Sequence, residues 1–231
     1  MVEHVTAFAP RHCEMLGRDG TTCVVRYGVE RAFNYGLTNR GPARLYLDLM
    51  FMFGSSFDTD PQLPWAAKVL SSAREQDARA GELHSQTLSY LEHVAGPDYL
   101  YGKEALQRAR GISLESLRAA ADVNLVSATL KVFRDVYPQK AAYVGDAALL
   151  RLMAKGTETA ASHSMQGSVS VTVLAGLMFS MGHGITSDPQ FPWVAATLNN
   201  EKIEGSSRRL ERLFSKAQTY LAAVLEYLAR N

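Results

Sequence analysis

The residues best equipped for chemistry in this chain occur as two copies of one short motif. Asp60, Pro61, Gln62, Pro64 and Trp65 return as Asp188, Pro189, Gln190, Pro192 and Trp193. An aspartate before a proline can accept hydrogen bonds from backbone amides two or three residues on, and the prolines fix φ. Each motif therefore predicts a stiff turn leading into a short helix, with the tryptophan anchoring it to the core of its own half. Asp58 and Asp60 also offer the hard oxygen donors that a divalent cation takes. The second motif has Thr186 in place of Asp58, and no EF-hand loop surrounds either copy. No metal site and no cofactor are expected.

Histidines add a second candidate. His163 stands where the first half has Tyr35, and His183 where it has Ser55. Together with Asp188 they could form an acid/base pair or contribute metal ligands, in the second half alone. Without a third spaced ligand, one helix-face histidine and one turn histidine is the favoured reading. Cys13 and Cys23, with His12 nearby, match no local thiol-nucleophile signature, and the other half carries Lys140, Ala141 and Arg151 at those positions. Phosphate loop, dinucleotide fingerprint, nucleophile elbow, CxxC pair and HExxH are all missing from the sequence. No catalytic residue is expected. What remains is a pair of rigid aromatic loops suited to a protein partner, which assigns Phe57, Asp58, Asp60, Trp65, His183, Asp188 and Trp193 to a binding patch.

The elements that position these residues are duplicated. At an offset of 128, LMFMFGSSFDTDPQLPWAAKVL from Leu49 lies over LMFSMGHGITSDPQFPWVAATL from Leu177 with 11 of 22 positions identical. Unrelated segments of ordinary composition match at about one position in twenty, so this is structural repetition. Upstream, Pro10, Gly17, Gly28, Glu30 and Ala32 meet Pro138, Gly145, Gly156, Glu158 and Ala160 at the same offset. Downstream the offset becomes 130, with Leu91 over Leu221 and Val94 over Val224. The expected organisation is a first helical repeat over 1–95, a connecting segment over 96–131 with the opening helix of the second repeat, and a second repeat over 132–231. The first repeat either opens with a shorter helix or lacks one.

Periodicity makes the chain all-α. Leu114, Leu117, Ala121, Leu125, Ala128 and Val132 recur three or four apart, predicting one helix that opens with Ser113 as N-cap and ends before Pro138. Asp146 is expected to cap the next helix, whose counterpart runs from about Cys23 to Gly36. Val169, Val171 and Val173 alternate with polar residues as a strand would. Their counterpart, from Pro42 through Leu45, Leu49 and Phe53, reads as a helix, and so both do. A last helix over about Ser206–Ala229 carries a stripe of Leu210, Leu213, Ala217, Leu221, Val224 and Leu228. The two repeats are expected to pack, pseudo-symmetrically, as one compact all-α body.

Composition bounds the function. Lys and Arg number 24 against 23 Asp and Glu, without blocks of one sign, which disfavours nucleic acid and anionic membranes as partners. The longest apolar run is shorter than the roughly 20 residues that cross a bilayer. Two cysteines provide no disulfide framework, and the opening MVEHVTAFAP lacks a basic segment followed by an apolar one, so a cytoplasmic location is expected.

The stretch GVERAFNYGLTNRGPARLYLDLMFMFGSSFDTDPQLPWA resembles a set of proteobacterial all-helical proteins. They combine a Tyr-Gly turn after one helix with an FG..FD.DP.LPWA segment after the next. The resemblance rests on Gly28, Ala32, Tyr35, Gly36, Gly54, Phe57, Asp58, Asp60, Pro61, Pro64 and Trp65, and the second repeat departs from it at His163, Ile185 and Thr186. Such proteins are often encoded near type VI secretion genes. The resemblance implies a secreted effector or secretion component as partner and supplies no catalytic assignment. The expected function is a non-catalytic protein-binding module, such as an adaptor, chaperone or immunity-type partner. The alternative is an enzyme or metal-binding protein with a single site around His163, His183 and Asp188.

Overall fold

The computed structural model describes residues 1–120 and 124–230, and every regular element among them is helical. The first half consists of α1 (Val2–Phe8), α2 (Pro10–Asn34), α3 (Arg40–Phe53), α4 (Pro64–Leu70) and α5 (Gln76–Val94). A connecting segment carries α6 (Leu100–Arg110) and α7 (Leu114–Ala120). The second half follows with α8 (Leu125–Val136), α9 (Pro138–Ser162), α10 (Ser168–Met181), α11 (Pro192–Leu198) and α12 (Ser206–Arg230).

Corresponding helices match closely. Both α2 and α9 run 25 residues from a proline at the first helical position, where its fixed φ and missing N–H suit the helix start. Both bend at a glycine with positive φ, 70° at Gly17 and 74° at Gly145. The expected helices near Cys23 and Asp146 are thus the second limbs of longer bent ones. Asp146 is not an N-cap but pairs with Arg134 at 2.7 Å. α3 and α10 are each 14 residues long, so the valine alternation at 169–173 lies in a helix buried on nearly all sides. α1 stands 128 residues before the last seven of α8, which makes it the shorter opening helix.

The opening helix of the second half is also corrected. The single helix expected between Ser113 and Pro138 is divided into α7 and α8, because Asn124 adopts an extended conformation and its side chain accepts the Ser127 amide at 3.1 Å as an N-cap. Ala121 of the predicted stripe lies outside the described residues.

Each half has its own cluster of buried side chains. Val24, Tyr46, Leu47, Met50 and Phe57 lie in the first, and Leu149, Leu152, Leu174, Met178 and Leu213 in the second. Tyr137 packs against both and donates its hydroxyl to the Val94 carbonyl at 2.9 Å. No helix among the described residues is long and apolar enough to cross a membrane.

Candidate functional site: a reciprocal junction between the halves

The repeated motif sits where the halves meet, and each copy reaches across to the other. Asp60 accepts the Gln62 amide at 2.8 Å, the local turn bond that its place before proline predicts. Its other oxygen accepts the backbone N–H of His183 at 2.8 Å, 123 residues away. Asp188 repeats the pattern: it accepts its own Gln190 amide at 2.8 Å and the backbone N–H of Ser55 at 2.7 Å. The glutamines cross as well, Gln62 donating to the Met178 carbonyl at 3.1 Å and Gln190 to the Met50 carbonyl at 2.8 Å. Since Met50, Ser55, Asp60 and Gln62 correspond to Met178, His183, Asp188 and Gln190, the same bonds run in both directions.

Glycines let the two chains approach this closely. α3 and α10 end at Gly54 and Gly182, with φ of 96° and 98°. A β-carbon at Gly54 would lie 2.6 Å from the Met181 carbonyl oxygen, and one at Gly182 would lie 2.5 Å from that of Phe53. Both glycines have a positive φ with extended ψ, which glycine alone adopts freely, and the touching backbones supply a second reason why only glycine fits.

The junction differs electrically between the halves. Burial would raise the Asp60 carboxyl, but the His183 ring and the amides of Gln62 and His183 hold it below the ordinary carboxylate range. The His183 Nδ1 is 3.5 Å from Asp60 Oδ2, close enough for an ion pair. At Asp188 burial prevails over the bonds from Ser55 and Gln190, and the carboxyl is raised. Ser55 in place of His183 accounts for the difference: a hydroxyl donates a 2.6 Å hydrogen bond but brings no charge.

Asp58 has a separate task. It is 1% exposed and accepts Arg31 Nη2 at 2.6 Å and the Tyr46 hydroxyl at 2.9 Å. Burial opposes the Arg31 charge, yet Asp58 and Tyr46 more than compensate and raise that group, while burial and Asp58 together push Tyr35 up to about 12. The second half carries Thr159, Leu174 and Thr186 in place of Arg31, Tyr46 and Asp58, so this ion pair belongs to the first half alone. Asp58 and Asp60 therefore face different partners. No group of three potential metal ligands is present among the described residues.

These positions correct the expected binding patch. Phe57, Asp58, Asp60 and Asp188 are 4% exposed or less, their polar atoms spent on internal bonds, and they cannot present a surface to a partner. Trp65 and Trp193 are half-buried against the cores of their own halves, as their anchoring role predicts. His183 is part-buried beside Asp60 rather than Asp188. His163 ends α9, where its carbonyl accepts Arg209 at 2.7 Å, and no contact joins it to His183 or Asp188 among the described residues. The three residues of the alternative site are not brought together.

The sequence sets His12 against Lys140 but does not show where the two groups lie. His12 and Lys140 correspond at the 128 offset and both lie at the junction, Lys140 buried and His12 part-buried. His12 packs among Phe51, Phe191 and Tyr220, with ring centroids 5.7, 5.3 and 6.4 Å away. Tyr220 from the other half approaches its Nδ1 at 3.3 Å, and its Nε2 is buried without a partner. Burial lowers the imidazole to about 4. The unfolded chain then binds a proton that the folded one refuses between pH 6.5 and 4, so stability should fall as the pH drops through that window. His12→Phe is expected to flatten this part of the curve, as read by urea unfolding at pH 7, 5.5 and 4.5.

Comparison with protein-family models, curated proteins and solved structures gives no match to this chain.

Proposed function

We propose that this all-helical protein is a non-catalytic protein-binding module: an adaptor, chaperone or immunity-type partner of a secreted effector in the bacterial cytoplasm. The observation that carries the reading is the outer face of α2. Val29 and Phe33, one turn apart, are 39% and 66% exposed. The second half has the smaller Thr157 and Ala161 at those positions. A phenyl ring largely in water on a long helix is the kind of aromatic anchor that dominates protein interfaces. The reciprocal junction supports the same reading, because it uses the duplicated polar set to hold a scaffold rigid. The resemblance of the FG..FD.DP.LPWA segment to proteins encoded near type VI secretion genes makes an effector or secretion component the partner to seek.

The test is affinity purification from the source cell with the full chain and with Phe33→Asp. A specific protein retained by the parent and reduced tenfold or more by the variant, at unchanged thermal midpoint, is the expected result. Recovery of only chaperones and ribosomal proteins by the parent would defeat the proposal.

A further inference from the structure

Beside the junction lies a cavity of about 300 Å³, at the lower end of the roughly 300–1,000 Å³ of small-molecule sites. Asp60, Tyr90 and Lys140 contribute polar groups to its wall, and Met52, Leu63 and Leu91 contribute apolar ones. The half-by-half correspondence explains why the space exists here. Around His12, the position of Leu63 is taken by the larger Phe191, which packs on the imidazole ring. Around Lys140 the smaller leucine leaves room. Tyr99 of the connecting segment, 59% exposed, forms the wall on the solvent side.

Lys140 is the unexplained group. It is 9% exposed and donates to the Phe179 carbonyl at 2.5 Å, with its nitrogen 5.1 Å from the Phe179 ring centre. It makes no other hydrogen bond among the described residues, and no carboxylate is within ion-pair distance. Two of the three ammonium donors are unused. Burial lowers the amine to about 8, with Asp60 opposing from a distance, so at neutral pH it is still mostly protonated. An unpaired buried cation is costly, and an anion that reached it in a low-dielectric site would be held strongly. The Tyr90 hydroxyl, 5% exposed as a residue, likewise has no protein partner among the described residues. The Asp60 carboxylate is already engaged by three donors from Gln62 and His183, so it leaves the Lys140 ammonium without a direct partner.

We propose that this cavity binds a small apolar carboxylate, its head group on the Lys140 ammonium and the Tyr90 hydroxyl and its hydrocarbon body against Met52, Leu63 and Leu91. The site is independent of the outer face of α2, and partner binding can fail without affecting it.

Octanoate, octan-1-ol and octylamine, titrated calorimetrically into the full chain, are suitable probes. Octanoate should bind saturably at one site per chain, and at least tenfold tighter than either of the other two. Lys140→Met should weaken it tenfold or more. Leu63→Phe, which installs the side chain the other half carries at this position, should block it while leaving the thermal midpoint near that of the parent. Should Lys140→Met fail to fold, Leu63→Phe decides alone. Absence of saturable octanoate binding, equal binding of the alcohol, preference for the amine, or unchanged affinity in Leu63→Phe would each overturn the assignment.

Discussion

Alanine at Gly54 or at Gly182 is expected to cost about 4 kcal/mol, enough to part the halves or to leave the chain unfolded. Two penalties add. With φ near 96° and ψ near 150°, both glycines occupy a region that other residues enter at roughly 1–3 kcal/mol. The new methyl would also press on a backbone carbonyl oxygen 2.5 to 2.6 Å away. No rotamer change can move that oxygen, and overpacking of this kind adds about 1–3 kcal/mol. Gly17 isolates the conformational part, since it too has positive φ but nothing within 4 Å of a β-carbon. Its alanine variant should cost only about 1–3 kcal/mol. Gly41, with neither constraint, should tolerate alanine at no measurable cost. Urea unfolding of the four variants checks the order. Because one separation of the halves would relieve both clashes, the Gly54, Gly182 double variant should fall short of the sum.

How legible this was depends on the range of each interaction. Helices were legible where apolar residues recur three or four apart, as in α3 and α12, because that signal is local. The starts of α2 and α9 at Pro10 and Pro138 were placed a kink too late, near Cys23 and Asp146, because the chain bends at Gly17 and Gly145 without ending the helix. Comparing the halves even overruled the valine alternation of α10. One half of each aspartate's work was legible too, since the bond to the amide two residues on follows from Asp before Pro. The other half was not. Nothing near Asp60 in the sequence indicates that its second oxygen accepts from His183, or that Gln62 crosses to Met178. Exposure of the loops was misjudged for the same reason, because a rigid turn with an aromatic looks alike on a surface and in an interface. A usable signal lay in the repetition of Gln62 as Gln190. A glutamine retained in both copies of a turn has a polar partner to satisfy, and its own half offers none that Asp60 or Asp188 does not already supply.

The duplication also separates scaffold from difference. Asp60, Gln62, Gly54 and Trp65 recur because each half needs them to grip the other or itself. The Arg31, Tyr46 and Asp58 cluster, the His183 ring beside Asp60, and the exchange of His12 for Lys140 occur once each. Where halves share a framework, the positions at which they differ are where one half can acquire a property that the other lacks. Lys140 meets that description most fully, because its neighbour Leu63 is smaller than its counterpart Phe191, in the direction that opens space.

Removing the carboxylate of Asp60 should be the second most damaging change. Asp60→Ala strands the Gln62 and His183 amides and leaves the Gln62 side-chain nitrogen with its Met178 bond alone. At about 1–3 kcal/mol for each unsatisfied group, the loss should reach about 3 kcal/mol or more. Asp188→Ala strands the amides of Ser55 and Gln190 and should cost a similar amount. The two carboxylates separate under acid. Asp60 titrates below its unfolded value of 3.8, so the stability it confers is complete above that pH and is lost as the pH falls through its lower folded value. Asp188 titrates above 3.8, so its charged form is the strained one, and protonation as the pH falls through its raised value favours the folded state. Asp60→Asn should therefore remove acid sensitivity below pH 4 while lowering stability at pH 7. Asp188→Asn should lower stability at pH 7 by less and leave the acid limb in place. Urea midpoints at pH 7, 4 and 3 distinguish the two, and equal losses at pH 7 with identical acid limbs would show that His183 does not set the charge of the junction.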